Sequence, residues 1–524
     1  MAKNIVVCSD GTGNTAIKGR GTNVFKIFEA VDLNGHRTNP HLTPQVAIYD
    51  DGVGTEDFKP IKIFAGATGF GLARNVRQLY KALVRVYDPG DHIFLFGFSR
   101  GAFTVRTLAG FISRCGLLDL AKFETARALD KGVREAYKMY RRYYRTALKK
   151  ALFGDRDKSK ADRFRDKNCL PGQVPIAFVG VWDTVDAVGT PFHLADFLNW
   201  AIYQFKFPNL ELSANVERAC HALAIDERRD AFLPVLWAND PRVEQVWFAG
   251  AHSNVGGGYP KQGMSLVALD WMMCQSSKSC LPGLRILRTD RDFYNEHSNV
   301  DDKLYDPLVG LGLFYRWAPR DIRKICSDQK VPSKIHLSVL ERIAHGTQDY
   351  APGNLPPEAK IVITTTGDDK KDAAAEQRAT GVQKVLLEAH SDGEPLLSKV
   401  GSAIRLGRVS YYVYVFSCLA VLLAASVPEG AGSRFNPCAW LHSSVTLSLD
   451  TFRLKFGQLL ATVMRLVSSP QLLGCLVGGL SFSLFLKKVA ERRMSMVFSR
   501  TGHKAQTDLR TALKNARRES KKIM

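Results

Sequence analysis

The chain has 524 residues, 45% of them hydrophobic and 23% charged, with a formal net charge of +21. That length and mix describe a globular protein of two or three domains with cores to bury. The ten cysteines form no C-x-x-C pair and no Cys/His cluster, which argues against structural zinc and fits a reducing compartment.

The excess positive charge points to an anionic partner, nucleic acid or a membrane surface. No signal peptide is expected at the N-terminus. Its apolar run, Ile5 to Cys8, is far shorter than a secretory h-region, and Asp10 follows closely.

Residues Asn4 to Cys8 predict a short buried strand, ending in the glycine-rich turn Ser9 to Thr15. Turns of this kind after parallel strands are where α/β proteins place ligands. Cys8 occupies the position two before Asp10, so the nucleophilic carboxylate of an Asp-x-Asp phosphatase loop is missing. No Gly-Lys-Ser/Thr follows to make a phosphate cradle. A structural turn that also lends an oxyanion donor, from Gly11 or Thr12, fits better. Val46 to Tyr49 predicts a second strand. A helix with apolar positions at Val76, Leu79, Tyr80, Leu83 and Val84 follows the glycine-rich Gly66 to Leu72.

Ile93 to Phe96 is again of strand length and leads into Gly97-Phe98-Ser99-Arg100-Gly101. A helical pattern follows, with Phe103, Leu108, Phe111 and Ile112 apolar. Strand, G-x-S-x-G, helix is the context of a nucleophile elbow, in which a strained turn lifts the serine hydroxyl clear of the sheet. The alternative is a serine that merely caps the helix. Strands and helices alternating in this order predict a mostly parallel sheet covered by helices.

Residues 131–167 are basic and interleaved with tyrosines. They read either as a solvated helical face or as an insertion over the site that touches anionic headgroups. No nucleic-acid motif accompanies them, so nucleic acid is not expected. Val174 to Trp182 predicts a strand running into Asp183, where a hydrolase keeps its triad acid; Asp186 is the reserve candidate. Val243 to Ala249 predicts another, ending in a glycine-rich loop that carries His252. Of the twelve histidines this one has the strand-end setting. Ser99, Asp183, His252 is the α/β-hydrolase order of nucleophile, acid and base.

Seven pieces of sequence, in order, resemble the DUF2235 family, whose members include phospholipase effectors of type VI secretion. They are Asp10 to Asn14, Gly52 to Thr55, Gly66 to Gly69, Gly97 to Ala102, Val181 to Thr184, His221 to Glu227 and His252 to Tyr259. The resemblance implies an α/β-hydrolase fold with Ser99, Asp183 and His252 as the triad. It carries the substrate less safely than the fold.

Ile361 to Thr364 predicts a last strand, and the polar stretch from Gly367 reads as linker to about residue 404. Val409 to Val427 is uncharged for nineteen residues, and Leu466 to Leu486 is a second uncharged run broken by Pro470. Both are of membrane-spanning length, with core helices as the alternative. Arg405 and Arg408 before them, and Lys487, Lys488, Arg492 and Arg493 after, put both flanks in the cytoplasm. Residues 428–465 then form an outer loop with a short amphipathic helix near Phe452 to Val463.

The expectation is an α/β-hydrolase domain over 1–366, a linker over 367–404, a two-helix transmembrane hairpin over 405–488 and a basic cytoplasmic tail over 489–524. Its activity is hydrolysis of carboxylic esters, foremost phospholipid acyl esters. Ser99, Asp183 and His252 are catalytic, and Arg100, Gly11 and Thr12 support the oxyanion. No metal or other cofactor is needed. The partners are membrane lipid and, through the tail, an anionic leaflet. The setting is a bacterial inner membrane with the domain on the cytoplasmic side, or alternatively a secreted effector. A soluble-substrate esterase or thioesterase and a non-catalytic tethered binding protein are the rival functions.

Overall fold

The computed structural model describes residues 2–11, 21–51, 70–143, 156–185, 210–278, 282–309, 315, 317–350, 352–356, 358–365, 369–389, 401–426 and 470–523. Its described residues divide into two compact units. One comprises Met1–Gly312, Pro319–Gly393 and Ser499–Met524; the other comprises Leu313–Ala318 and Glu394–Phe498.

The first unit is built on an eight-stranded sheet. Its strands are β1 Asn4–Ser9, β2 Gln45–Asp50, β3 His92–Phe98, β4 Ile176–Trp182, β5 Val216–Ala224, β6 Val243–Phe248, β7 Lys334–His336 and β8 Lys360–Val362. The order is β2-β1-β3-β4-β5-β6-β7-β8, with every pairing parallel. This is the mostly parallel α/β sheet expected from the sequence.

The strands are near-continuous apolar runs because both faces are covered. Alternate residues go to opposite cores. Ile5, Val7, Ile93, Leu95, Val179 and Val181 meet the helices Phe70–Val86, Arg100–Cys115 and Ala126–Tyr143 on one face. Val6, Cys8, Phe94, Phe96, Phe178 and Trp182 meet Asn23–Ala30 and Gly263–Lys278 on the other. Each such fully buried side chain contributes roughly 1.5–3 kcal/mol.

β5 and β7 are additions to the expectation. β5 carries Glu217, Arg218 and His221 inside its span, which breaks the apolar run, and β7 is only three residues long. The strand order reverses between β1 and β3, so the crevice at the carboxyl edge opens there.

Two expectations change. The stretch expected to be linker is helical from Asp369 to Ala389. Val382 is fully buried in a cluster with Ile335, Val339 and Leu340. Charged residues hid an apolar face that tertiary contacts require. In the basic stretch, Ala126–Tyr143 and Arg156–Asn168 are helices. Tyr137 and Tyr140 are core residues packed on Phe111 rather than a headgroup-facing surface. Residues 144–155 lie outside the described residues.

In the second unit Gly401–Ser426 is one helix, and Pro470–Ile523 begins there. Ser410 Oγ donates to Ser483 O (2.6 Å) and Ser483 Oγ to Ser410 O (2.7 Å), a reciprocal pair possible only where two helices approach closely. Among the described residues one stretch, Leu473–Met494, is long and apolar enough to cross a membrane, and 11% of its most apolar window is buried. The expected loop at 428–465, with its amphipathic helix, Val427 and residues 466–469 lie outside the described residues.

Candidate functional site

Ser99 follows β3 at the start of the helix Arg100–Cys115, with φ 58° and ψ −121°. A left-handed φ is costly for a residue bearing Cβ and persists only where the surroundings enforce it. Here they do. A Cβ on Gly97 would lie 2.6 Å from Gly101 O, and one on Gly101 would run into the backbone of Ser9 and Asp10. Strand, helix and the end of β1 thus pack backbone to backbone around the serine. Ser99 makes no side-chain cap hydrogen bond to its helix, which removes the simple capping explanation.

Asp183 follows β4, the next strand over; Phe98 and Trp182 are register partners, and Ser99 N donates to Trp182 O (3.0 Å). Asp183 also has positive φ (38°). Its carboxylate, fully buried, accepts from His252 Nδ1 at 2.6 Å through Oδ2 and from the Ala224 N–H at 3.0 Å through Oδ1. His252 opens the short helix His252–Gly256 after β6. Its ring lies between Phe98 (centroids 4.5 Å) and the edge-on Phe232 (5.0 Å). Since β3 to β6 are parallel neighbours, Ser99, Asp183 and His252 all stand at one edge of the sheet.

The sequence did not signal Arg320. Its Nη1 donates to Asp183 Oδ1 (2.7 Å) and Ala224 O (2.5 Å), and its Nη2 to Asp183 Oδ2 (2.9 Å) and Phe232 O (2.5 Å). Asn354 Nδ2 in turn donates to Arg320 O (3.0 Å). A second pair sits beside it. Arg229 Nε and Nη2 grip the two oxygens of Glu227 at 2.8 Å, and the His252 N–H donates to Glu227 Oε2 (3.3 Å). Glu227 lies in one of the family-like stretches; nothing local to Arg320 in the sequence marks it.

These pairings set the charges. Burial alone would raise Asp183, but the Arg320 guanidinium and His252 hold its carboxyl well below the usual carboxylate range. Burial lowers His252 below the ordinary imidazole value, against the pull of Asp183, which favours the uncharged ring with Nδ1–H facing the carboxylate. His221, inside β5, is driven down to about 3 by burial and by Arg106. Its Nε2 accepts from the Thr184 N–H (3.0 Å), which braces the turn after Asp183.

Of the expected oxyanion groups, Arg100 opens the helix Arg100–Cys115, at the positive end of its dipole. Gly11 does not fit the expectation: its N–H is taken by Asp10 Oδ1 at 2.6 Å, because a short carboxylate one residue earlier captures it. Thr12 and Asp186 lie outside the described residues, as do the glycine-rich pieces 52–55 and 66–69. Asp10 Oδ2 also accepts from Thr22 Oγ1 (2.6 Å) and Tyr49 OH (2.7 Å), which ties the ends of β1 and β2 together.

The chain is 28% identical over 258 residues to an uncharacterized protein of Saccharomyces cerevisiae, covering 47% of this chain and 34% of that one. Among solved structures it matches an uncharacterized protein from Pseudomonas aeruginosa at TM-score 0.34 and 17% identity, covering 75% of this chain and 60% of the other. It also matches the Tle1 effector bound to the VgrG spike of the type VI secretion system at TM-score 0.30 and 17% identity, covering 49% and 51%. The chain therefore spans about a third of the curated relative and between half and two thirds of these two solved chains. Residues 3–275, more than half of the chain, match the model of the type VI secretion phospholipase effector Tle1-like catalytic domain, and the chain belongs to that family.

Proposed function

We propose that this chain is a serine hydrolase that cleaves acyl esters of phospholipids. The observation that carries the reading is the 2.6 Å Asp183–His252 contact one strand away from a serine held at φ 58°. Ser99 Oγ attacks the ester carbonyl while His252 Nε2 takes its proton. Asp183 keeps Nδ1 protonated and stabilises the imidazolium that forms. The carbonyl oxygen, now an anion, lies at the N-terminus of Arg100–Cys115 and accepts from the Arg100 N–H. The imidazolium then returns its proton to the departing alkoxide, and water cleaves the acyl-enzyme by the reverse sequence.

Phospholipid as substrate is supported by the family and by the basic, apolar C-terminal part. In this reading Gly401–Ser426 and Leu473–Met494 anchor the protein, with the basic end of the chain on an anionic leaflet. A secreted effector, as the family name describes, is the alternative placement.

The test is labelling of the full chain by a fluorophosphonate probe together with hydrolysis of mixed phosphatidylethanolamine/phosphatidylglycerol vesicles. Labelling that is lost in Ser99→Ala and fatty-acid release from the vesicles are expected. Turnover of short water-soluble esters alone would make it a soluble-substrate esterase or thioesterase. Neither labelling nor turnover would leave a non-catalytic binding protein.

A further inference from the structure

Arg320 lies outside the stretch that matches the family model, yet it is 1% exposed and bonded to both oxygens of Asp183. Burying a guanidinium costs several kcal/mol unless it is fully paired. A bidentate fork is the arrangement that makes such a group worth keeping. The fork also reaches the Phe232 carbonyl, and the Phe232 ring stands edge-on to His252. One side chain therefore holds the carboxylate beside the imidazole and the backbone of Phe232, whose ring lies under the Arg229 guanidinium at 3.5 Å.

We propose that Arg320 is a positioning residue for the hydrolysis proposed above, on which this inference rests. Its planar fork fixes the Asp183 carboxylate against His252, and its charge offsets that of Asp183 beside the imidazole. A carboxylate held only by Ala224 N–H and His252 could rotate about its own bond; two parallel N–H donors fix its plane. Among the described residues, the charged groups around His252 are Asp183 after β4, with Arg320 behind it, and Glu227 with Arg229 after β5. These are two carboxylates and two guanidiniums. Asp183 pulls hardest toward the charged ring, and burial acts against it and favours the uncharged ring. Without Arg320 the set is net negative and the imidazolium gains.

The experiment uses the full chain with Arg320→Gln and Arg320→Lys. It records kcat and KM for ester hydrolysis against pH and titrates His252 by NMR. In Arg320→Gln the acid limb of kcat and the His252 titration should both move up by about one pH unit, with kcat down about 100-fold and KM little changed. In Arg320→Lys the charge remains and the fork is lost, so the limb should stay while kcat falls about ten-fold. An unmoved limb and unmoved His252 titration in Arg320→Gln would overturn the proposal. If that variant fails to fold, Arg320→Lys decides, and an unchanged kcat there overturns it. The NMR titration needs no turnover. A wild-type chain that hydrolyses nothing therefore sinks the hydrolase reading, while His252 still reports on Arg320.

Discussion

The carboxyl edge of the sheet and the C-terminal helices handle burial in opposite ways. At the edge, charged groups are buried and paired: Asp183 with Arg320, Glu227 with Arg229, Asp10 with two hydroxyls. In the helices, large apolar groups are left in the open. Phe416 is 65% exposed, Phe485 61%, and Val477 and Phe482 both 54%. The helices meet instead through small residues; a Cβ on Gly479 would strike Ser417. Close approach through Gly and Ser with bulky side chains facing outward is what the proposed anchoring in lipid requires. The edge buries charge by pairing it, and the helices leave apolar side chains in the open.

The strongest way to break the first half of that comparison is at the proposed triad. Ser99→Ala and His252→Ala should each abolish nearly all ester hydrolysis, and Asp183→Asn should lose on the order of 10³–10⁴-fold in kcat through the wrong tautomer. Unchanged circular dichroism would show that the fold survives. Full activity in Asp183→Asn would move the acid elsewhere.

The second half breaks by truncation. Full-length protein should stay with membranes through a high-salt wash, which removes only electrostatic attachment. A chain ending at Gly393, which lacks the second unit and also Ser499–Met524 of the first, should leave the membrane fraction. One ending at residue 366 should be destabilised as well, because it also lacks the helix that buries Val382. Release of the full chain by salt alone would reassign the two helices to a soluble core.

A smaller effect concerns the backbone contact beneath the serine. Gly101→Ala places a methyl group against the Ser9 and Asp10 carbonyls, two backbone positions with nowhere to move. A loss of about 3 kcal/mol is expected in urea unfolding, at the upper end for overpacking. A near-neutral result would mean that strand and helix can part without cost.

The smallest effect lies at Asp50, which burial pushes up to about 6 even though Ser9 Oγ and Asn75 Nδ2 donate to it. Its folded value lies above its unfolded one. Its contribution to stability is therefore complete below about pH 4 and is lost as pH rises through 6. Asp50→Asn should leave Tm unchanged at pH 4 and raise it progressively to pH 7, by about 2 kcal/mol of stability. A gain that is equal at both pH values would show that ionisation is not its source.

The sequence by itself determined the strands whose buried runs are continuous, the tight glycines flanking Ser99, and the positions of Asp183 and His252 at strand ends. All of these are local consequences of period, length and turn chemistry. Where a strand mixes charge with apolar residues, as in Val216–Ala224, or spans three residues, as in Lys334–His336, the local pattern carries too little information. The helix Asp369–Ala389 reads as polar linker because its burial is narrow and its charges dominate. Only the tertiary structure decided that Asp10 takes the hydroxyls of Thr22 and Tyr49 as well as the Gly11 N–H. It alone also brought Arg320 onto Asp183 across 137 positions of chain. A fork of that kind has no sequence period: it exists because the sheet order puts β4, β5 and the loop before Ile322 at one edge, where a buried carboxylate must find a cation.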